Sequence, residues 1–315
     1  MTPGRRLAPV LPGVLVFLVA ALAFSRVGAE AHFVHDEGVY VYGGQRMLEG
    51  VPPYVSIFDA KAPFGTVLCA AGIAAGRLIG LDDLTAARAL FFLLSCLAVV
   101  ALYYLALVLF ESPWQAALTS VLLIGFREFG AHAMAGPLPK SAAVLFVTAA
   151  LALTAGRRWF PAGVAAGLAA VTWQPTGIYP IVVVLLAWFQ AGERGRWRAA
   201  ARGLAGALLP AVALVLFFAA QGSLFALLDG SFLYPALFHD APQSAVVHLR
   251  RMLAATLKPF GGMGFAIALG LVMMGPLYLW RARAGASDAR TGVVRALLGD
   301  RFAGILIAFP APLLW

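Results

Sequence analysis

The stretch "HDEGVYVYGGQRMLEG", residues 35–50, crowds Asp36, Glu37, Arg46 and Glu49 into a chain in which only 12% of residues are charged. Two adjacent carboxylates at the start of a short helix have two uses. Asp36 can be an N-cap and Glu37 a first-turn acid facing the positive helix end. Alternatively, one of them can accept a proton from a hydroxyl, which needs a carboxylate held within hydrogen-bond reach of that group. Capping also fixes a carboxylate's direction, so the two uses are compatible. The spacing predicts a helix from Glu37 to Glu49 with Tyr40, Gly43, Gly44 and Met47 on one face. Further on, "PPYVSIFDAKAP" brings Asp59 and Lys61 just before Pro63, a residue suited to the first turn of a following helix. Lys61 reads either as a lysine snorkelling towards lipid phosphate or as the cation that holds the phosphate of a lipid-linked substrate.

A second group of chemically competent residues comprises Tyr234, His239, Asp240, His248, Arg250, Arg251 and Lys258. Arg250 and Arg251 can grip a phosphate or pyrophosphate with paired donors, or rest on anionic headgroups as a basic loop edge. Tyr54, Tyr234 and Phe238 can stack on a sugar, or belong to an interfacial aromatic belt. His32, His35 and Asp36 form a weak metal-ligand pattern with no second cluster at a fixed spacing. A divalent cation held by Asp36 and Glu37 stays open, and no other cofactor is indicated. The chain has no phosphate-binding Walker loop, no dinucleotide fingerprint and no convincing serine triad.

The elements that must position these residues are set by composition. Hydrophobic residues make up 62% of the 315, against about 45–50% in soluble domains, which predicts a membrane protein. The net charge of +9 would point to nucleic acid in a soluble protein. Here the basic residues lie between apolar runs, as topology determinants do, and nucleic-acid binding is excluded. Cys69 and Cys96 sit in apolar surroundings without metal-ligand spacing and read as small buried hydrophobes.

Expected spans run from Ala8 to Phe24, Arg88 to Phe110, Trp114 to Phe126, Pro139 to Ala155, Trp159 to Trp173, Thr176 to Gln190, Gly203 to Gln221, Phe260 to Trp280 and Phe302 to the end. The first follows Arg5 and Arg6 and reads as a signal anchor with a cytoplasmic N-terminus. If the Gly- and Ala-rich run Pro63 to Gly80 lies along the outer interface without crossing, 13 of the 23 Lys and Arg fall on the cytoplasmic side and ten of the fourteen acids fall outside. If it crosses, the basic segments "GERGRWRAAAR" and "RARAGASDAR" land outside, against the positive-inside tendency.

The reading is therefore an all-α polytopic transmembrane protein of the cell membrane, one domain over residues 1–315, with external segments at 29–87 and 222–259. These segments are longer than adjacent helices need, and they carry most of the candidate residues. The final run, broken by Pro310 and Pro312, is short for a span, as in a fragment of something longer.

In order, "HDEGVYVYGGQRMLEG", "PPYVSIFDAKAPFGTVL", "IGLDDLTAARAL" and "AAGLAAVTWQPTGIYPIVV" resemble the pattern of the GT-C membrane glycosyltransferases, especially the bacterial relatives of protein O-mannosyltransferases and of the lipid A aminoarabinose transferase. The resemblance covers about Leu11 to Leu186. It implies a GT-C type fold with interfacial helices in the first external loop. It also implies transfer of a sugar from a polyprenyl-phosphate carrier to a glycan, lipid or protein acceptor at the outer face, with inversion at the anomeric carbon. Asp36 matches the family's loop acid, the general base there, and Lys61 the basic position near the carrier phosphate. The expected catalytic residues are Asp36 and Glu37, and the expected substrate-binding residues are Tyr40, Tyr54, Asp59, Lys61, Gln174, Arg250 and Arg251. Two departures stand out. Where relatives often carry an acid after "GP", this chain has "AGPLPKSA" and Lys140, and where they often have Lys-Gln it has Trp173 and Gln174. A transporter or flippase for a lipid-linked sugar is the alternative from another class, but transporters place ionisable groups at mid-bilayer on broken, repeated helices. A non-catalytic assembly subunit is the third.

Overall fold

The computed structural model describes residues 10–26, 36–55, 57, 59–238, 247 and 250. The expected spans at 260–280 and 302–315 lie outside these residues, as do His32, His35, His239, Asp240, His248, Arg251 and Lys258. Every regular element among the described residues is helical. In chain order they are α1 (Val10–Ser25), α2 (Glu37–Leu48), α3 (Phe64–Leu78), α4 (Asp83–Phe110), α5 (Pro113–Ile124), α6 (Arg127–Ala135), α7 (Pro139–Ala155) and α8 (Trp159–Thr172). A 3₁₀ turn, Gln174–Ile178, leads into α9 (Tyr179–Gln190) and α10 (Arg196–Ala220). The short α11 (Leu224–Leu228), a π turn (Asp229–Leu233) and α12 (Tyr234–Phe238) follow.

The boundaries have local causes. Asp82 is extended and its carboxylate accepts the Thr85 N–H at 2.9 Å, so α4 begins at Asp83, more than a turn before the expected start at Arg88. Ser112 caps α5 in the same way, accepting the Gln115 N–H at 3.4 Å, with Pro113 opening the helix. Pro63 opens α3 as predicted. The expected span Trp114 to Phe126 ends at Ile124, and a separate helix, α6, follows it. Extended backbone at Trp173 stops α8, and the 3₁₀ turn begins at the next residue, Gln174.

Two helices, α4 with 28 residues and α10 with 25, are long and apolar enough to cross a membrane by length and composition. Helices α1, α5, α7, α8 and α9 have 12 to 17 residues. At a rise of about 1.5 Å per residue they reach about 18–26 Å, short of the roughly 30 Å of a bilayer core.

Helices α4 and α7 lie at the centre. Helices α1, α3 and α5 pack on α4, α8 packs on α7, and α10 packs on α8 and α9. Tyr40, Cys69, Ile73, Ala87, Phe91 and Ala142 form one apolar cluster where α2, α3, α4 and α7 meet, and it underlies the N-terminal end of α2. Cys69 and Cys96 are both buried and unbridged, as expected. The α8–α10 contact is made backbone to backbone. A Cβ on Gly163 would lie 2.0 Å from the Gly203 carbonyl oxygen, and one on Gly206 would lie 2.1 Å from that of Phe160.

Helices α2, α3 and α4 are tied at one carboxylate. Asp83 accepts from Arg77 Nε at 2.8 Å, Arg77 Nη2 at 2.7 Å and Gln45 Nε2 at 2.8 Å. The Arg77 guanidinium, then the Gln45 amide, hold its carboxyl down at about 2, below the ordinary value of about 3.9. A depressed carboxyl contributes stability that is complete above its unfolded pKa and is lost as pH falls through the folded one. The detergent unfolding midpoint is therefore expected to lose this contribution between about pH 4 and about pH 2. Asp83→Asn removes that part of the acid decline, which melts across a pH series would read.

Candidate functional site

The loop between α2 and α3 is fixed by three hydrogen bonds around Lys61. The Asp59 carboxylate accepts the Lys61 N–H at 3.1 Å, Gln174 Nε2 donates to the Ala60 carbonyl at 2.8 Å, and the Tyr54 hydroxyl donates to the Lys61 carbonyl at 2.5 Å. Burial raises the Asp59 carboxyl above its usual range, with Lys61 opposing the shift. Tyr54 has φ +68, uncommon for a residue with a side chain. Its hydroxyl also meets Ser231 Oγ in the π turn at 2.9 Å, and burial raises its pKa.

With its backbone held, Lys61 extends its ammonium to the Asp36 carboxylate and lies 5.6 Å from the centre of the Tyr40 ring. Asp36 occupies the N-cap position of α2, yet its side chain makes no capping bond. The carboxylate is turned to Lys61 instead, so the two uses weighed for it from sequence separate here. Glu37, one residue on, is 2% exposed. A buried carboxylate is costly without polar or cationic company, and a point beside Gly136 lies 3.6 Å from both Glu37 Cγ and Arg88 Cγ. Arg88 Nε donates to the Ala135 carbonyl at 3.2 Å, tying α4 to the end of α6. Gly136 follows at φ +141, a backbone region that essentially only glycine occupies.

These groups line a cavity of about 460 Å³. Asp36, Glu37, Tyr40 and Lys61 form one wall, Ala131, His132 and Ala135 of α6 another, and Leu138, Pro139 and Lys140 at the start of α7, with Trp173, close it. Lys140 Nζ sits 5.4 Å from the centre of the Trp173 ring. The Tyr40 hydroxyl is buried without a hydrogen-bond partner among the described residues. Burial, then the Asp59 and Asp36 carboxylates, raise its pKa, so it stays a neutral O–H donor.

Of the residues expected from sequence, Asp36, Glu37, Tyr40 and Lys61 come together. Asp59 and Gln174 shape the loop behind Lys61. Tyr54 faces a smaller recess with Asp59, Pro52 and Pro63, and it staples the loop to the π turn. Arg250 is exposed and is not among the residues lining the cavity, and Arg251 lies outside the described residues. The expected interfacial aromatic Tyr234 opens α12. His132 had no sequence reading. It stands in a helix that the expected spans left as a connection, and an ionisable residue between an apolar run and "AGPLPK" was the available cue.

The metal-ligand pattern read from sequence is only partly described, because His32 and His35 lie outside the described residues. The Asp36 carboxylate is engaged by an ammonium, and among the described residues no three His, Cys, Asp or Glu side chains converge as metal ligands. Compared with known proteins, the chain matches no family model, no curated protein and no solved structure.

Proposed function

We propose that the chain is a multi-pass cell-membrane glycosyltransferase that moves a sugar from a polyprenyl-phosphate carrier to a hydroxyl acceptor at the extracytoplasmic face. The observation that carries the reading is one cavity in which the Asp36 carboxylate, the Lys61 and Lys140 ammoniums and the Trp173 indole converge from separate segments. An acid beside cations and an aromatic plane is what displacement at a sugar carbon bonded to phosphate calls for. In that step Asp36 accepts the acceptor's proton as the oxygen bonds to the anomeric carbon. The bond from that carbon to the phosphate oxygen breaks on the opposite face, its electron pair leaving with the lipid phosphate beside the cavity's cations. Inversion follows from the single displacement.

Membrane residence is supported by the outer surface of the helices. Leu15, Leu18 and Leu22 of α1, Leu93 and Leu97 of α4, Leu118 and Leu122 of α5, and Leu208, Leu209 and Leu216 of α10 are all exposed. Apolar surface this extensive is a liability in water and the normal covering of a helix in lipid. Close packing through small residues, as between α8 and α10, is how helices associate where lipid tails remove the hydrophobic drive. The topology has its own expected result. In intact cells a membrane-impermeant maleimide should label Glu49→Cys, at the exposed end of α2, and should reach Arg194→Cys, in the exposed α9–α10 turn, only after permeabilisation. The reverse pattern would put the cavity on the cytosolic side and end the proposal.

The function is tested by mass spectrometry of envelope glycans, glycolipids and glycoproteins from cells with and without the chain. Loss of one sugar linkage is the expected result. Unchanged products with carrier accumulating on the cytoplasmic side would favour a flippase instead.

A further inference from the structure

Lys61 and Lys140 stand in different circumstances. The Lys61 ammonium is already matched by the Asp36 carboxylate, whereas among the described residues Lys140 has an aromatic ring and no carboxylate. Lys140 is also in the first turn of α7, a helix of 17 residues opened by Pro139, with no side-chain cap. Lys140 is exposed, and a cation there adds to the helix's own positive end, so the two together favour an anion placed against both. A buried hydroxyl sharpens the point: Tyr40, 1% exposed, lines the same cavity with its hydroxyl unpartnered among the described residues.

We propose that Lys140 and the first turn of α7, with the Tyr40 hydroxyl, form an oxyanion subsite that holds the phosphate head of the lipid-linked donor, leaving Lys61 to position Asp36. This deepens the glycosyl-transfer reading and rests on it. It reassigns the phosphate contact from the lysine that the sequence singled out to the one that stood out as a departure. The Trp173 face beside Lys140 lies where the sugar next to that phosphate would stack.

The test is equilibrium binding of radiolabelled decaprenyl phosphate to the full chain in phosphatidylcholine nanodiscs, with decaprenol and inorganic phosphate as competitors. Lys140→Gln is expected to weaken binding by about 10- to 100-fold, the loss that follows removal of one charged hydrogen-bond donor. Lys140→Arg, which keeps the charge, should stay within about threefold, and its near-normal binding also reports an intact fold. Lys61→Gln should leave binding within about threefold while abolishing transfer. Competition by inorganic phosphate but not by decaprenol identifies an oxyanion site, and competition by decaprenol alone overturns it. Unchanged binding by Lys140→Gln overturns the subsite and leaves the carrier reading standing. No binding of decaprenyl phosphate by the unmodified chain overturns both.

Discussion

Asp36→Asn is expected to lower sugar transfer by about 10²- to 10⁴-fold, the usual contribution of a positioned acid or base, while the protein still inserts and melts normally. The substitution keeps the size and the oxygen facing Lys61 but removes the negative charge there that can accept a proton. Its structural cost is small, because the Asp36 side chain makes no capping bond to α2 and its pairing with Lys61 is well exposed, with side-chain exposures of 55% and 37%. Exposed pairs contribute little to stability. The measurement is the initial rate of transfer in isolated membranes, normalised to protein. A rate within a few-fold of the unmodified chain would remove Asp36 from the mechanism, and Glu37, buried on the same wall, would become the carboxylate to examine.

The largest expected stability effect comes from α8 and α10. Gly163→Ala puts a methyl 2.0 Å from the Gly203 carbonyl oxygen, which is main chain and cannot rotate away. The two helices must move apart, and the overpacking is expected to cost about 1–3 kcal/mol. It would be read as a lower unfolding midpoint in detergent. Gly177→Ala is the matched control, since nothing lies within 4 Å of its new methyl, and surface changes of that kind stay within about 0.5 kcal/mol. Equal midpoints for the two variants would mean that α8 and α10 do not touch along their backbones.

The sequence made the local features legible and left the assembly hidden. Most of the face of α2 was readable from spacing, because one helix carries that information: Tyr40, Gly43 and Gly44 are buried, whereas Met47 is half-buried and Glu37, not placed on that face, is buried with them. The start of α3 at Pro63 was readable for the same reason. The break between α5 and α6 was not, because an apolar run gives no sign of where a helix stops until a neighbour competes for its end. Nor was the pairing of Asp36 with Lys61, 25 positions apart, which depends on where three loop hydrogen bonds leave the lysine backbone. Tyr54 shows the limit most clearly. An aromatic beside a candidate site invites stacking on a sugar, yet its ring packs beside Phe218 and Gly230 and its hydroxyl bonds the Lys61 carbonyl and Ser231.

That last contact joins positions 177 apart in the chain and runs from the backbone of the site's lysine to a π turn, an element that is rare and recurs at functional places. It makes Tyr54 a tie rod between the α2–α3 loop and that turn. A shift of the Asp229–Leu233 turn would therefore be felt, through one phenol, at the backbone of the residue facing Asp36.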